Sequence, residues 1–202
     1  MMKRIAIIGT DNKARFVLSK ALSYLTGYDI AGKTDYSIQA VQYGLDKELT
    51  TCQWPELFVY LLASFSERIV VEQQYGRFIS NGSVLLELAT VKTLFKMHTA
   101  RMHWPKELAV MLSGIEKVIT TYARQHYDAH VLIENGIEHE DTFSGELESG
   151  IKDLIAEHGA IYRVRHEFLL AEMLENISSA FHLSPMTSTQ TALQKAQSEI
   201  LK

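Results

Sequence analysis

Short runs of consecutive apolar residues alternate along the chain with longer segments in which apolar residues recur every three or four positions. The short runs are typical of strands that are buried on both faces, and they lie at 5–8, 77–83, 130–135 and 160–165. The longer segments predict helices at 14–26, 56–74, 83–97, 106–126, 143–158 and 167–181. This alternation predicts an α/β fold with three layers, in which a parallel sheet carries helices on both faces and helices predominate.

The linking segments show no convincing domain boundary. Residues 28–52 are polar and contain glycines, and we expect a short helix there at Ser37–Tyr43. Pro55 follows at a position that the first turn of a helix tolerates. We therefore predict one domain over 1–183 and a C-terminal tail, helical or flexible, over 184–202.

Composition narrows the class of protein. The 202 residues are 47% hydrophobic and 22% charged, which indicates a globular chain rather than a disordered one. The net charge of −4 gives no general attraction to nucleic acid or to an acidic membrane. No apolar run approaches the roughly 18–20 residues of a membrane span, and Cys52 is the single cysteine. We expect a cytoplasmic protein without an intramolecular disulfide.

The first predicted strand, loop and helix have the outline of a phosphate-binding loop, G-x-x-x-x-G-K-[ST]. In that motif backbone N–H groups and a helix N-terminus meet the phosphates, the lysine reaches the outer phosphates, and the hydroxyl holds magnesium. The positions of the motif are filled here by Gly9, Thr10, Asp11, Asn12, Lys13, Ala14, Arg15 and Phe16. These eight residues are the predicted nucleotide-binding set.

The departures from the motif in this loop differ in how strongly they would impair phosphate binding and catalysis. Ala14 adds a methyl group where a phosphate must come close, and Arg15 keeps a positive charge but is not equivalent to lysine. Phe16 has no oxygen for magnesium. Because phosphoryl transfer depends on the metal and on positioning, the loss at Phe16 weighs against catalysis more than against the fold.

The segment "RIAIIGTDNKARFVLSKALSYLTGYDI" resembles the opening of P-loop kinases of the nucleoside and nucleotide kinase superfamily, in particular the ribosylnicotinamide-kinase-like, AAA-type ATPase group. Leu18 and Leu22 match apolar positions of the helix that follows the motif. The resemblance extends in layout over residues 3 to 181. It implies ATP or GTP as the bound nucleotide, magnesium as the cofactor, and a nucleoside or small phosphorylated metabolite as the second ligand.

Two further segments match these kinases in the order of strands and helices but lack the charged residues that the kinases have there. The resemblance places an Asp-Arg pair at the end of the second buried strand, where this chain has Ser80, Asn81, Gly82 and Ser83. It also places arginines in a lid at 136–158, where this chain has none. The lid stretch instead contains the acidic run 138–141, which would repel a triphosphate.

The layout also indicates where a second ligand would lie. Ser80 and Asn81 at the end of their strand, and Asp35 and Tyr36 after the first helix, are the predicted substrate-binding residues. Ser80 and Asn81 could equally form a turn. No spacing of histidines and acids repeats a known metal motif, so we predict no metal site in the protein itself.

Two functional hypotheses remain open from the sequence. The first is a nucleotide-binding protein that resembles a small-molecule or nucleoside kinase. The second is a catalytically inactive relative that serves as a binding or scaffold module. The long apolar helix at 56–72 could supply the face of a homodimer, although a core helix is the default for such a segment.

Overall fold

A computed structural model describes residues 3–32, 48–99, 106–134, 142–158, 161–165 and 169–200. The predicted helix at Ser37–Tyr43 lies outside these ranges. The strands are β1 (Arg4–Ile8), β2 (Asp29–Ala31), β3 (Phe78–Asn81), β4 (Ala129–Glu134) and β5 (Ile161–Arg165). The helices are α1 (Asn12–Thr26), α2 (Trp54–Glu72), α3 (Val84–Thr99), α4 (Lys106–His126), α5 (Thr142–His158), α6 (Leu170–Ala180) and α7 (Thr189–Ile200), and a short 3₁₀ turn occupies Leu49–Thr51.

The strands form one parallel sheet in the order β2-β3-β1-β4-β5. β1 is central, and in register Ile5 lies between Ile79 of β3 and Ala129 of β4. Because all strands run the same way, their carboxyl ends meet at one edge of the sheet, where ligands of open α/β sheets bind. The loop after β1 and the residues that end β3 therefore lie at the same edge.

Each face of the sheet carries its own apolar core. On one face, α2, α3, α4 and α5 pack around Phe78 and Leu132. On the other face, α1, α6 and α7 pack around Ile5 and Val131. The prediction of a three-layer α/β fold with a parallel sheet and helices on both faces is confirmed.

Two local predictions differ from the structure. β2 lies within a stretch that the sequence predicts to be irregular, because a three-residue strand with an exposed first residue has no recognisable apolar run. α1 begins at Asn12, two residues before the predicted start. Its N-cap is Asp11, whose side chain accepts a hydrogen bond from the Ala14 N–H at 2.9 Å.

The C-terminal segment contributes α7 to the core of the α1 face. Ala192, Leu193 and Ala196 are buried there. At the rim, the Lys20 ammonium of α1 lies 3.0 Å from a Glu199 carboxylate oxygen, and the Tyr24 hydroxyl donates to the same carboxylate. The face of α1 that points away from the sheet is thus covered by the most C-terminal helix.

A search of the helices in the described ranges finds none that is both long and apolar enough to cross a membrane.

Candidate functional site

The loop after β1 passes close against β4. A Cβ atom at Gly9 would lie 2.9 Å from the Ile133 carbonyl oxygen and 3.1 Å from the Ile133 Cβ. The Gly9 φ of 154° is also one that residues with a side chain rarely adopt. The predicted motif glycine is therefore required by this close approach, whatever the loop binds.

The N-terminus of α1 already has a carboxylate on it. The Asp11 side chain accepts from the Ala14 N–H, and the Asp11 carbonyl accepts from the Arg15 N–H at 3.1 Å. Only Gly9, Thr10 and Asp11 lie between β1 and α1, because the helix has extended into the predicted loop. The positive end of the helix dipole thus carries Asp11 at the place where the motif would hold a phosphate.

Arg15 is buried beneath this loop. Its Nη1 donates to the Gly9 carbonyl oxygen at 2.8 Å, and its Nη2 donates to Asn12 Oδ1 at 2.6 Å. Its Nε donates to Asn81 Oδ1 at 3.0 Å, at the end of β3. The guanidinium therefore connects the loop after β1 to the neighbouring strand from inside the protein.

Lys13, Ala14 and Phe16, the remaining motif positions at the start of α1, differ in how far they are exposed to solvent. Lys13 is exposed, and Ala14 is buried in the core between α1 and the sheet. Phe16 is half-buried, with the Lys20 ammonium 5.8 Å from its ring centroid. Neither Ala14 nor Phe16 offers a side-chain oxygen, so the motif position that usually holds magnesium has no hydroxyl here.

Ser80 and Asn81, two of the predicted substrate-binding residues, are buried at the end of β3. Ser80 Oγ donates to Glu72 Oε1 at 2.8 Å and accepts from Arg68 Nη1 at 2.9 Å. Asn81 accepts from Arg15 through its side chain. The structure brings these two residues together with the loop at one edge. Asp35 and Tyr36, like the acidic run at 138–141, lie outside the described residues.

An arginine between two carboxylates is the part of this edge that the sequence analysis missed. Arg68 Nε donates to Glu87 Oε1 at 2.7 Å, and Arg68 Nη1 lies 3.6 Å from Glu72 Oε1. Arg68 and Glu72 are one turn apart on α2, and Glu87 projects from the first turn of α3. All three are buried, with at most 5% of each exposed. The available signal was a charged residue within an apolar helical segment, as in "VLLELA".

Glu72 is held by donors on both of its oxygens. Besides Ser80, the Tyr127 hydroxyl donates to Oε1 at 2.9 Å, and the Tyr122 hydroxyl donates to Oε2 at 3.1 Å. Burial raises the pKa of Glu72, and the Arg68 charge and these hydrogen bonds offset only part of that rise. Burial together with the Glu72 charge raises the pKa of both tyrosine hydroxyls, so they remain donors.

The charge of Arg68 is stabilised by its surroundings. Burial alone would lower the pKa of this guanidinium, but the negative charge of Glu87 and the interactions with Tyr127 and Glu72 outweigh burial and raise it. One permanent cation therefore faces two carboxyl groups in a dry environment. Removal of a partner from such a group costs more than the pair itself contributes, because a charge is left buried.

One carboxylate oxygen of this cluster and one guanidinium nitrogen lie outside its hydrogen-bond network. Glu87 Oε2 is buried, and no hydrogen-bond partner for it exists among the described residues. The hydrogen bonds of Arg68 to other described residues use Nε and Nη1, which leaves Nη2 as a donor available to a ligand. Cβ atoms at Gly32 and Gly82 would lie 2.7 Å from Arg68 Nη1 and 3.2 Å from Arg68 Nη2. The two glycines therefore make room for the guanidinium.

Comparisons with known proteins support the architecture. The sequence matches no family model and no curated protein. Deoxyadenosine kinase from M. mycoides, solved with bound dATP, is similar in structure with a TM-score of 0.67 at 12% sequence identity, over 89% of this chain and 99% of that one. A sugar kinase from Janibacter sp., in an unliganded structure, has a TM-score of 0.41 at 10% identity, over 93% of this chain and 99% of that one. The chain therefore shares the overall fold of that deoxyadenosine kinase.

Proposed function

We propose that this protein binds a nucleoside or nucleotide at the carboxyl edge of its sheet and does not transfer a phosphoryl group. The observation that carries the proposal is Glu87 Oε2, a buried acceptor with no hydrogen-bond partner among the described residues, on the carboxylate whose other oxygen accepts from Arg68 Nε. Buried polar atoms are nearly always hydrogen-bonded, so a buried acceptor without a partner at a ligand-binding edge supports a ligand there. The kinase fold, with dATP bound in the deoxyadenosine kinase structure, supports the same ligand class.

The two atoms also indicate a preference among bases. Glu87 Oε2 accepts a hydrogen bond, and Arg68 Nη2 donates one. A base that offers an amino group next to a ring nitrogen acceptor satisfies both atoms, as adenine and cytosine do. At the corresponding positions of the Watson–Crick edge, guanine and uracil present an oxygen beside a ring N–H. We therefore propose adenosine or cytidine, or their deoxy forms, as the preferred nucleosides.

Phosphoryl transfer from ATP or GTP needs parts that the described residues of this edge do not supply. A magnesium–triphosphate requires an oxygen ligand where Phe16 stands, and it would meet the Asp11 carboxylate at the N-terminus of α1. The residues of the loop therefore do not fit magnesium. We propose that any binding of ATP or GTP depends on the nucleoside part and is unchanged by magnesium.

Titration calorimetry with nucleosides tests the proposal. We expect adenosine or cytidine to bind more tightly than guanosine and uridine. Glu87→Gln should weaken that binding about 10- to 100-fold, because the amide places a donor or a weaker acceptor against the amino group. The matched control is Glu146→Gln, which removes the partner of exposed Lys96 and should leave the affinity unchanged.

Enzymatic assays complete this test. We expect no phosphate release from ATP or GTP, and no phosphorylated nucleoside, with magnesium present. Turnover that is abolished by Arg15→Ala would contradict the absence of phosphoryl transfer. The absence of heat from all four nucleosides and from ATP at millimolar concentrations would contradict the binding proposal.

A second candidate function is that of a catalytically inactive scaffold, and exposed apolar residues favour it. The outward face of α2 carries Val59, Leu62 and Val70, with Val70 61% exposed. The outward face of α4 carries Val110 and Val118, with Val110 73% exposed. Exposed apolar residues in a stripe are typical of surfaces that contact another protein or a second copy.

Light scattering over a range of concentrations tests the scaffold candidate. We expect a mass above that of the monomer, and we expect Val59→Glu on α2 or Val110→Glu on α4 to reduce it to the monomer mass. The control is Gln194→Glu, an exposed polar position of α7 on the other face of the sheet. A monomer at all concentrations up to about 100 µM would contradict self-association as the function, since typical specific complexes form below that concentration.

A further inference from the structure

Asn81 contacts both of the buried arginines at the carboxyl edge. Its side-chain Oδ1 accepts from Arg15 Nε at 3.0 Å, and its backbone carbonyl accepts from Arg68 Nη1 at 3.5 Å. Arg15 belongs to α1 on one face of the sheet, and Arg68 belongs to α2 on the other. One residue at the end of β3 thus links the loop after β1 to the Arg68–Glu87 pair.

The backbone around Asn81 leaves this residue little freedom. Gly82 N–H donates to the Ile7 carbonyl oxygen at 2.8 Å, which ties the end of β3 to β1. A Cβ atom at Gly32 would lie 2.8 Å from the Asn81 carbonyl oxygen, so the end of β2 packs against Asn81 from the other side. Asn81 itself is 1% exposed. A displacement of either arginine therefore strains its hydrogen bond to Asn81, because the tightly packed surroundings cannot shift to compensate.

We propose that Asn81 is a positioning residue that couples ligand binding at Arg68 and Glu87 to the stability of residues 9–16, the loop after β1 and the first turn of α1. The inference rests on the proposed nucleoside binding. A ligand acceptor on Arg68 Nη2 fixes the plane of the guanidinium, and with it the hydrogen bonds from Nη1 to Ser80 and to the Asn81 carbonyl. An ordered Asn81 then holds Arg15 on its Oδ1, and Arg15 holds Gly9 and Asn12. A ligand that stabilises Arg68 therefore also slows the opening of residues 9–16, which it does not touch.

Hydrogen exchange with and without saturating adenosine tests the coupling. In the wild-type protein we expect adenosine to slow exchange over both 68–87 and 9–16, about tenfold in the loop. In Asn81→Ala the slowing over 68–87 should persist, and that over 9–16 should fall to less than about twofold. Asn81→Asp keeps an acceptor for Arg15 Nε and should restore the protection of the loop. A residue with a merely structural role would change stability in both variants without this selective loss.

If Asn81→Ala does not fold, a second variant tests the same contact from the side of Arg15. Arg15→Lys retains the charge but has no Nε donor for Asn81, and we expect it to lose the protection of the loop as well. Persistent protection of 9–16 in Asn81→Ala or Arg15→Lys would overturn the coupling. Protection of 68–87 alone in the wild-type protein would overturn it too, while the proposed binding would stand. The absence of heat and of protection in both regions would overturn the coupling and the proposed function together.

Discussion

Replacement of Arg68 with methionine is expected to lower the free energy of unfolding by about 3–5 kcal/mol at neutral pH. Methionine fills a similar volume but leaves Glu72 and Glu87 buried without the cation that faces both of them. Each carboxylate then loses its ion pair, at 3.6 Å and 2.7 Å respectively. Denaturation in urea, followed by circular dichroism, measures the change.

The deficit caused by Arg68→Met should depend on pH in a defined direction. Burial raises the pKa of Glu72 in the folded protein above its ordinary value of 4.5. A group of this kind favours the folded state fully below its unfolded pKa, and that contribution is lost as the pH rises through the folded pKa. Loss of Arg68 removes the charge that opposes this rise. The difference between variant and wild type should therefore shrink as the pH is lowered from 7 toward 4.5.

An exposed arginine provides the control for Arg68. Arg163 Nη1 lies 3.4 Å from Glu134 Oε1, and its side chain is 55% exposed. Arg163→Met should change the free energy of unfolding by less than about 1 kcal/mol, because water already solvates both charges. An equally small change for Arg68→Met would show that the Arg68 cluster does not support the fold.

Replacement of Arg15 with alanine is the second change with a large expected effect, a loss of about 2–4 kcal/mol of unfolding free energy. The guanidinium donates to the Gly9 carbonyl, Asn12 Oδ1 and Asn81 Oδ1, and alanine leaves all three oxygens without that donor. Only 2% of Arg15 is exposed, so removal of its side chain opens a cavity under the loop. Thermal and urea denaturation without added nucleotide measure the loss.

Neighbouring Lys13 is the matched control for Arg15. It lies two positions earlier on the same helix, but its side chain is exposed. Lys13→Ala should change stability by no more than about 0.5 kcal/mol. If Arg15→Ala were as mild as Lys13→Ala in the absence of ligand, the guanidinium would not be the group that holds the loop closed.

Local patterns in the sequence were sufficient for most of the architecture. The apolar run at 5–8 predicts a strand buried on both faces, and β1 is the central strand of the sheet. Gly27 predicts the end of α1, and it adopts a left-handed φ of 68° there. Pro55 predicts the first turn of α2, and it lies in that turn. In each case the signal and the structure it predicts lie within a few residues of one another.

The interior of the site depends on contacts that local patterns do not encode. Arg15 meets Asn81 across 66 positions, and Arg68 meets Glu87 across 19. A motif comparison treats Arg15 as a charge that faces a phosphate, whereas its hydrogen bonds depend on where β3 ends relative to β1. The helical start at Asn12 follows from the Asp11 cap, which competes with the motif's longer loop. Predictions for Asp35 and Tyr36 remain predictions.

The packing of α7 on α1 has a consequence for the order of events during biosynthesis. α1 leaves the ribosome early, but Ala192, Leu193 and Ala196, which cover its outer apolar face, are translated only after most of the chain. At about 5–20 residues per second, that face stays open to water or to chaperones for many seconds. The nascent domain cannot complete the core on the α1 face until synthesis has passed residue 196. A stalled or prematurely terminated chain would therefore expose the apolar face of α1 to chaperones and proteases.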